Sequence, residues 1–154
     1  MRHATRVMAL SLLVAGDAWG AAGPRPFETG ADLSSLLRLE ASGAGFRDSA
    51  GAADAVVILA RNGFTAVRLR LWHSPAGGEC GLDSTLAMAR RAHADGLRVL
   101  LDLHLSDTWA DPGHQLVPAA WRGLTAATLA DSVREYARGV VRALVEQGTP
   151  PAWV

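Results

Sequence analysis

Val99-Leu100-Leu101-Asp102-Leu103-His104-Leu105 alternates along its length. Val99, Leu101, Leu103 and Leu105 fall on one side, and Leu100, Asp102 and His104 on the other. A period of two predicts a strand. Val67-Arg68-Leu69-Arg70-Leu71-Trp72 has the same build, with Val67, Leu69 and Leu71 opposed to Arg68, Arg70 and Trp72. Central strands of an open parallel sheet are apolar on both faces. Here one face is apolar and the other carries charge toward the strand's C-terminal end. A solvated edge strand explains that pattern once, but two successive strands share it. Charged inner faces at strand ends are what the active site of a (β/α)₈ barrel needs.

The flanking segments are helical. Ala53, Val56, Val57 and Ala60 recur at helical spacing and stop at Gly63. A second helix is expected from the capping candidates Asp83 and Ser84, with Leu86, Ala89 and Ala92 on one face, ending at Gly96. A third, capped by Thr125, sets Leu129, Val133, Tyr136, Ala137, Val140 and Leu144 in one stripe before Gly148. The unit helix, glycine, strand recurs at Asn62-Gly63-Phe64, Asp95-Gly96-Leu97 and Gln147-Gly148-Thr149. With a short strand near Thr29 to Leu33 and another opening at Trp153-Val154, this is an α/β chain with parallel strands. An open doubly wound sheet and a barrel both fit that order. No glycine-rich phosphate loop follows a strand, which counts against a nucleotide-binding sheet. The fold expected is a TIM barrel of which about three βα units lie in this chain, since such barrels take roughly 250 residues.

Composition narrows the class of function. Hydrophobic residues make up 49% of the 154 and charged residues 19%, enough for a packed core. Fifteen basic residues balance fifteen acidic ones, so there is no electrostatic footprint for nucleic acid or a membrane surface. Arg2, His3 and Arg6 precede the apolar run Val7 to Ala15, which is too short to span a bilayer. Ala18-Trp19-Gly20 follows with small residues. Residues 1–23 therefore read as a secretory signal peptide and cleavage zone, and 24–154 as the folded part. The protein is expected outside the cytoplasm, extracellular or periplasmic. Cys80 has no partner for a disulfide and reads as a surface-loop cysteine among glycines.

The chemistry concentrates in Asp102-Leu103-His104-Leu105-Ser106-Asp107-Thr108-Trp109-Ala110-Asp111-Pro112. Asp102 and His104 share a face, and Asp107 and Trp109 lie beyond them at the mouth. Sugars present paired hydroxyls and apolar C–H faces. Carboxylates and arginines bind the first, and flat aromatic rings the second. Trp109, among polar loop residues, reads as a binding platform, and Trp121, between Ala120 and Arg122, as packing. Asp102 and His104 also suit a divalent ion, but the run lacks a second histidine, so no metal is expected. Arg68 and Arg70 can pair with Asp102 inside the barrel. His3, His73, His93 and His114 carry no signal of their own.

Three stretches resemble glycoside hydrolase family 53, the arabinogalactan endo-β-1,4-galactanases. Gly30-Ala31-Asp32-Leu33-Ser34-Ser35-Leu36-Leu37-Arg38-Leu39-Glu40 resembles the family's opening strand, Val67 to Trp72 its second, and Asp102 to Pro112 its third with the following loop. The resemblance covers Gly30 to Val154. It implies a (β/α)₈ barrel that cleaves internal β-1,4-galactosidic bonds of pectic galactan or arabinogalactan, with no cofactor. It implies a retaining mechanism, in which one glutamate protonates the leaving oxygen and another attacks the anomeric carbon, the pair ~5–5.5 Å apart. These glutamates follow the fourth and seventh strands. The fourth-strand Gly-Asn-Glu is expected past Val154, so no catalytic residue is assigned in this chain. Glu28, Glu40, Glu79, Glu135 and Glu146 lie elsewhere. By the same resemblance Arg68 supports the nucleophile, and Asp102, His104, Trp109 and Asp32 line the sugar subsites.

On this reading the chain alone is inactive, and its unpaired sheet edges favour aggregation. Two other functions fit the same residues: a secreted barrel mannanase or cellulase, and a half barrel that binds carbohydrate without cleaving it.

Overall fold

The structure is a computed structural model that describes residues 27–154. The expected signal peptide lies outside the described residues. Strand β1 (Gly30–Asp32) leads to helix α1 (Leu36–Ala41). A small hairpin of β2 (Arg47–Asp48) and β3 (Gly51–Ala52) precedes α2 (Ala55–Arg61). Then come β4 (Ala66–Leu71), α3 (Leu82–Ala94), β5 (Arg98–Leu103) and the long helix α4 (Ala126–Glu146).

The sheet has the order β1-β4-β5, and both pairings are parallel. Beyond β5, Ala152 donates to the Val99 carbonyl at 2.8 Å and Leu101 donates to Trp153 at 2.9 Å. Trp153 forms a parallel bridge with Leu100, as the opening of a further strand would. The sheet and its helices form an arc of a (β/α)₈ barrel.

Alternation separates the two faces as read from the sequence. Val67, Leu69, Leu71, Val99 and Leu101 are all at most 3% exposed, and they join Val56, Met88, Ala89, Val140 and Leu144 in one core. That core is the layer between sheet and helices. Leu100, at 36% exposure, projects from the opposite face. Arg68 and Arg70 occupy that face in β4, as does Asp102 in β5.

The recurring glycine has one physical cause. Gly63, Gly96 and Gly148 have φ of 84°, 75° and 83°, a region that costs a residue with Cβ. At each, the glycine N–H bonds two residues inside the helix end, and the next N–H bonds three residues inside. For α3 these are Gly96 to His93 at 3.1 Å and Leu97 to Ala92 at 2.9 Å. This pair of hydrogen bonds satisfies two of the last carbonyls and turns the chain into the next strand. Helix α1 ends the same way, through Gly43.

Three expectations need correction. Helix α3 starts at Leu82, and Gly81 is its N-cap. Ser84 instead bonds back to the Gly81 carbonyl at 2.9 Å. The third-strand reading through Leu105 overruns, because β5 ends at Leu103 and Leu105 turns to φ 45°. Cys80 is not a surface residue. It is 2% exposed, with its thiol 3.6 Å from the Ser34 carbonyl, and burial pushes its pKa up. The tight glycine turn before it folds the side chain beneath the loop. Thr125 does cap α4, accepting from the Thr128 N–H at 3.3 Å.

Candidate active site

Strand register decides which charges meet. Asp32 lies opposite Arg68, and Arg70 lies opposite Asp102. Asp102 is therefore the diagonal neighbour of Arg68, within reach of a long side chain. The Arg68 guanidinium spans both carboxylates, donating through Nη1 to Asp32 Oδ2 and through Nη2 to Asp102 Oδ2. Of the pairings expected of Arg68 and Arg70 with Asp102, that of Arg68 is present and that of Arg70 is not, and Asp32 completes the bridge from the neighbouring strand.

Arg70 sits deeper, with its side chain 13% exposed. Its Nη2 donates to Ser35 Oγ at 3.3 Å, and Nε lies 3.5 Å from Asp32 Oδ2, too far for a hydrogen bond. That Nε is buried without a hydrogen-bond partner. The guanidinium lies over the Trp109 ring, 4.9 Å from its centroid, a cation–π contact. Trp109 is 47% exposed, and its indole N–H donates to Asp111 Oδ2 at 2.7 Å. The Trp109 and His104 rings meet edge to face at 5.7 Å. Trp109 is thus fixed at its N–H, on one face and along an edge, while much of the ring remains open.

His104 is enclosed, with 7% of its side chain exposed. Its Nε2 lies 3.0 Å from Asp102 Oδ2, and the Trp72 indole donates to its Nδ1 at 3.3 Å. The four site residues on β4, β5 and the following loop thus form one contiguous group, and Asp32 joins it through Arg68. A cleft of about 640 Å³ opens beside them, lined by Arg68, Asp102, His104, Asp111, Gln115 and Trp121 among others. No glutamate of the described residues lines it. Each of Glu28, Glu40, Glu79 and Glu135 pairs instead with an arginine away from the cleft, and Glu146 ends α4. Among the described residues no three His, Cys, Asp or Glu side chains group as a metal site would.

The structure also gives roles that sequence reading did not assign. Asp107 accepts from the Ser74 N–H at 3.0 Å and the Ala119 N–H at 2.7 Å, so it clamps the loop after β4 to the loop after β5. His73, expected to be an unremarkable loop residue, packs against Trp121 at 4.5 Å and Tyr136 at 4.7 Å. Trp121 is 7% exposed, a packing residue as expected. Burial and the nearby Asp107 charge push the Tyr136 phenol up to about 12. Its hydroxyl donates to the Trp72 carbonyl at 3.2 Å. Nothing in the local pattern of His73 marks it, because its partners are 48 and 63 residues away in sequence.

Burial alone would raise the Asp32 carboxyl. Hydrogen bonds from Ser34 and Arg68 and the charge of Arg70 outweigh it and hold the group below its usual 3.8. A carboxyl depressed in the folded state contributes stability above its unfolded pKa and loses it as pH falls through its folded value. Asp32→Asn is therefore expected to cost stability at pH 7 and progressively less below about pH 4. Urea midpoints of both proteins at pH 7 and pH 3 check this. An equal gap at the two pH values would show that the carboxylate charge is immaterial.

Residues 28–154 match the model of glycosyl hydrolase family 53. The chain belongs to glycosyl hydrolase family 53. Among family 53 relatives, it is 47% identical over 112 residues to a probable arabinogalactan endo-β-1,4-galactanase A of Aspergillus terreus. That match covers 72% of this chain and 32% of the relative. It is 43% identical over 118 residues to the arabinogalactan endo-β-1,4-galactanase A of Emericella nidulans, covering 76% and 34%. Among solved family 53 structures, a fungal β-1,4-galactanase superposes with a TM-score of 0.78 at 40% identity, over 81% of this chain and 38% of that one. The family 53 catalytic domain of Ignisphaera aggregans superposes at 0.77 with 33% identity, over 83% and 38%. The chain spans about a third of the length of the curated relatives it matches.

Proposed function

We propose that this chain supplies part of the substrate cleft of an enzyme that cleaves internal β-1,4-galactosidic bonds of galactan or arabinogalactan. The observation that carries the reading is the Asp32–Arg68–Asp102 bridge beside the fixed indole of Trp109. It supports the reading because carboxylates, a guanidinium and a flat aromatic ring, the groups that sugars call for, stand together at the strand ends of a family 53 barrel. In this reading Trp109 stacks on a sugar ring, Asp102 and Asp32 accept from its hydroxyls, and Arg68 sets the field around the reacting carbon. His104 borders the same cleft. Hydrolysis proceeds through a glycosyl-enzyme formed on one glutamate while a second donates and then withdraws a proton. The pattern of residues 1–23 supports action outside the cell on pectic polysaccharide, with neither nucleic acid nor membrane as partner.

The test is a hybrid enzyme. Residues 27–154 replace the equivalent stretch of the Emericella nidulans galactanase, and the product is assayed on galactan, mannan and cellulose. Release of galacto-oligosaccharides from galactan alone is expected. A folded hybrid that attacks mannan or cellulose instead, or that cleaves none of the three, would sink the proposal. In the same hybrid, Trp109→Ala removes a stacking surface and leaves both glutamates of the reaction unchanged. KM for galactan should rise about tenfold, equivalent to about 1.4 kcal/mol, with kcat little changed. An unaltered KM would remove Trp109 from the binding surface.

A further inference from the structure

We propose that Trp72 is a positioning residue: its indole N–H fixes the tautomer of His104, and His104 in turn fixes which oxygen of Asp102 is left for a ligand. The argument rests on what each group can do with hydrogen. An indole Nε1–H can only donate, and an ionised carboxylate can only accept. Trp72 Nε1 lies 3.3 Å from His104 Nδ1, and Asp102 Oδ2 lies 3.0 Å from His104 Nε2. Only one form of the ring satisfies both neighbours, the neutral imidazole with its proton on Nε2. The other tautomer would point an N–H at the Trp72 N–H and a lone pair at Asp102 Oδ2. A doubly protonated ring would satisfy Asp102 but still set two donors against each other at Nδ1. His104 has little water to relieve either conflict, since 7% of its side chain is exposed.

Trp72 is itself held firmly enough to impose this choice. Its backbone N–H donates to the Cys80 carbonyl at 2.7 Å, and its carbonyl accepts from the Tyr136 hydroxyl at 3.2 Å. The next residue, His73, donates its N–H to the Ser106 carbonyl at 2.7 Å, and His104 donates its own to Leu71 at 3.0 Å. Both rings therefore hang from one joined stretch of backbone. The consequence falls on Asp102. His104 Nε2–H and Arg68 Nη2 both meet Oδ2, and among the described residues no donor meets Oδ1. Asp102, which lines the cleft, is thereby oriented with one oxygen spent on the protein and one left as a hydroxyl acceptor. Both ring nitrogens of His104 are occupied, so its part is to hold Asp102 rather than to bind sugar directly. This role within the sugar site rests on the function proposed above, whereas the tautomer itself does not.

The test reads the ring directly. Long-range proton–nitrogen correlation spectra of histidine-labelled protein at neutral pH are recorded on the full chain and, in parallel, on the hybrid enzyme. In both, His104 should show a protonated Nε2 and a bare Nδ1, with nitrogen shifts far apart. Trp72→Phe keeps an aromatic ring and the backbone bonds but removes the donor. The two nitrogen shifts should then move toward each other as the second tautomer becomes populated. A proton on Nδ1, or on both nitrogens, in the unmutated protein would overturn the proposal even if the variant failed to fold. An unchanged pattern in folded Trp72→Phe would overturn it too, because Asp102 alone would then select the tautomer. Neither readout involves polysaccharide, so failure here stays separate from an inactive hybrid.

Discussion

Purified as the 154-residue chain, the protein is expected to release no sugar from galactan, whereas the hybrid enzyme hydrolyses it. The reason is the chemistry of the carboxylates that the cleft contains. A retaining glycosidase needs one carboxyl that holds a proton near neutral pH and a second that is free to attack. Asp111 is held below its ordinary range by the Trp109 indole, His114 and the Gly113 N–H, and Asp32, bridged to the cleft through Arg68 rather than lining it, stays below its own despite partial burial. Neither can store a proton for a leaving oxygen. Asp102 already accepts from Arg68 and His104. The five glutamates lie outside the cleft. Without an acid and nucleophile pair the chain lacks the chemical step, so the difference from the hybrid should reach at least about 10⁶-fold. Release of reducing ends, followed over days, measures it. Activity that co-purifies with the chain and vanishes in Asp102→Asn would show that an aspartate had taken the missing role.

Leu101→Ala in the 154-residue chain is expected to lower stability by about 3 kcal/mol, a fall of about 10 °C in Tm. Leu101 is 1% exposed and lies in the same core as Leu69, Met88, Val140 and Leu144. Its backbone pairs on both sides, with β4 through Leu69 and with Trp153 through its N–H. A void there cannot collapse easily, because neither neighbouring strand is free to shift. Leu100→Ala is the control one residue away. Leu100 belongs to the other face and is 36% exposed, so its truncation should cost under about 1 kcal/mol. Equal losses at the two positions would mean that the apolar layer is not where alternation places it.

That contrast also explains how much of the molecule can be read without coordinates. The period of two in Val67–Trp72 and Val99–Leu103 reports burial directly, since successive side chains must point opposite ways. The glycines after α2, α3 and α4 are equally legible, because the turn they make needs a positive φ. Arg68, Asp102 and Trp109 could be picked out as a group because the first two lie on strands and the third follows within a few residues. What could not be read depends on partners distant in sequence. Cys80 looked exposed because its neighbours are glycines, yet Ser34, 46 residues away, roofs it. Asp107 and His73 owe their roles to Ala119, Trp121 and Tyr136, which no local pattern links to them. The hairpin of β2 and β3 is two residues a side, too short to show a period. Asp48 binds it to α2 through Arg61 and Asn62, and those contacts hold the Asp48 carboxyl at about 2.

The parallel order of the sheet sets a timetable for synthesis. Gly30 pairs with Ala66, Ala66 with Arg98, and Leu100 with Trp153, so each partner leaves the ribosome 36, 32 and 53 residues after the strand it joins. A parallel neighbour cannot be supplied by a tight turn, and every strand must wait for a helix to be made first. The last wait is the longest, and during it β5 has β4 on one side and no strand on the other. The exposed inner residue Leu100 and the edge of β5 are then open to other nascent chains, which makes this interval, more than any earlier one, the point at which a chaperone would be needed.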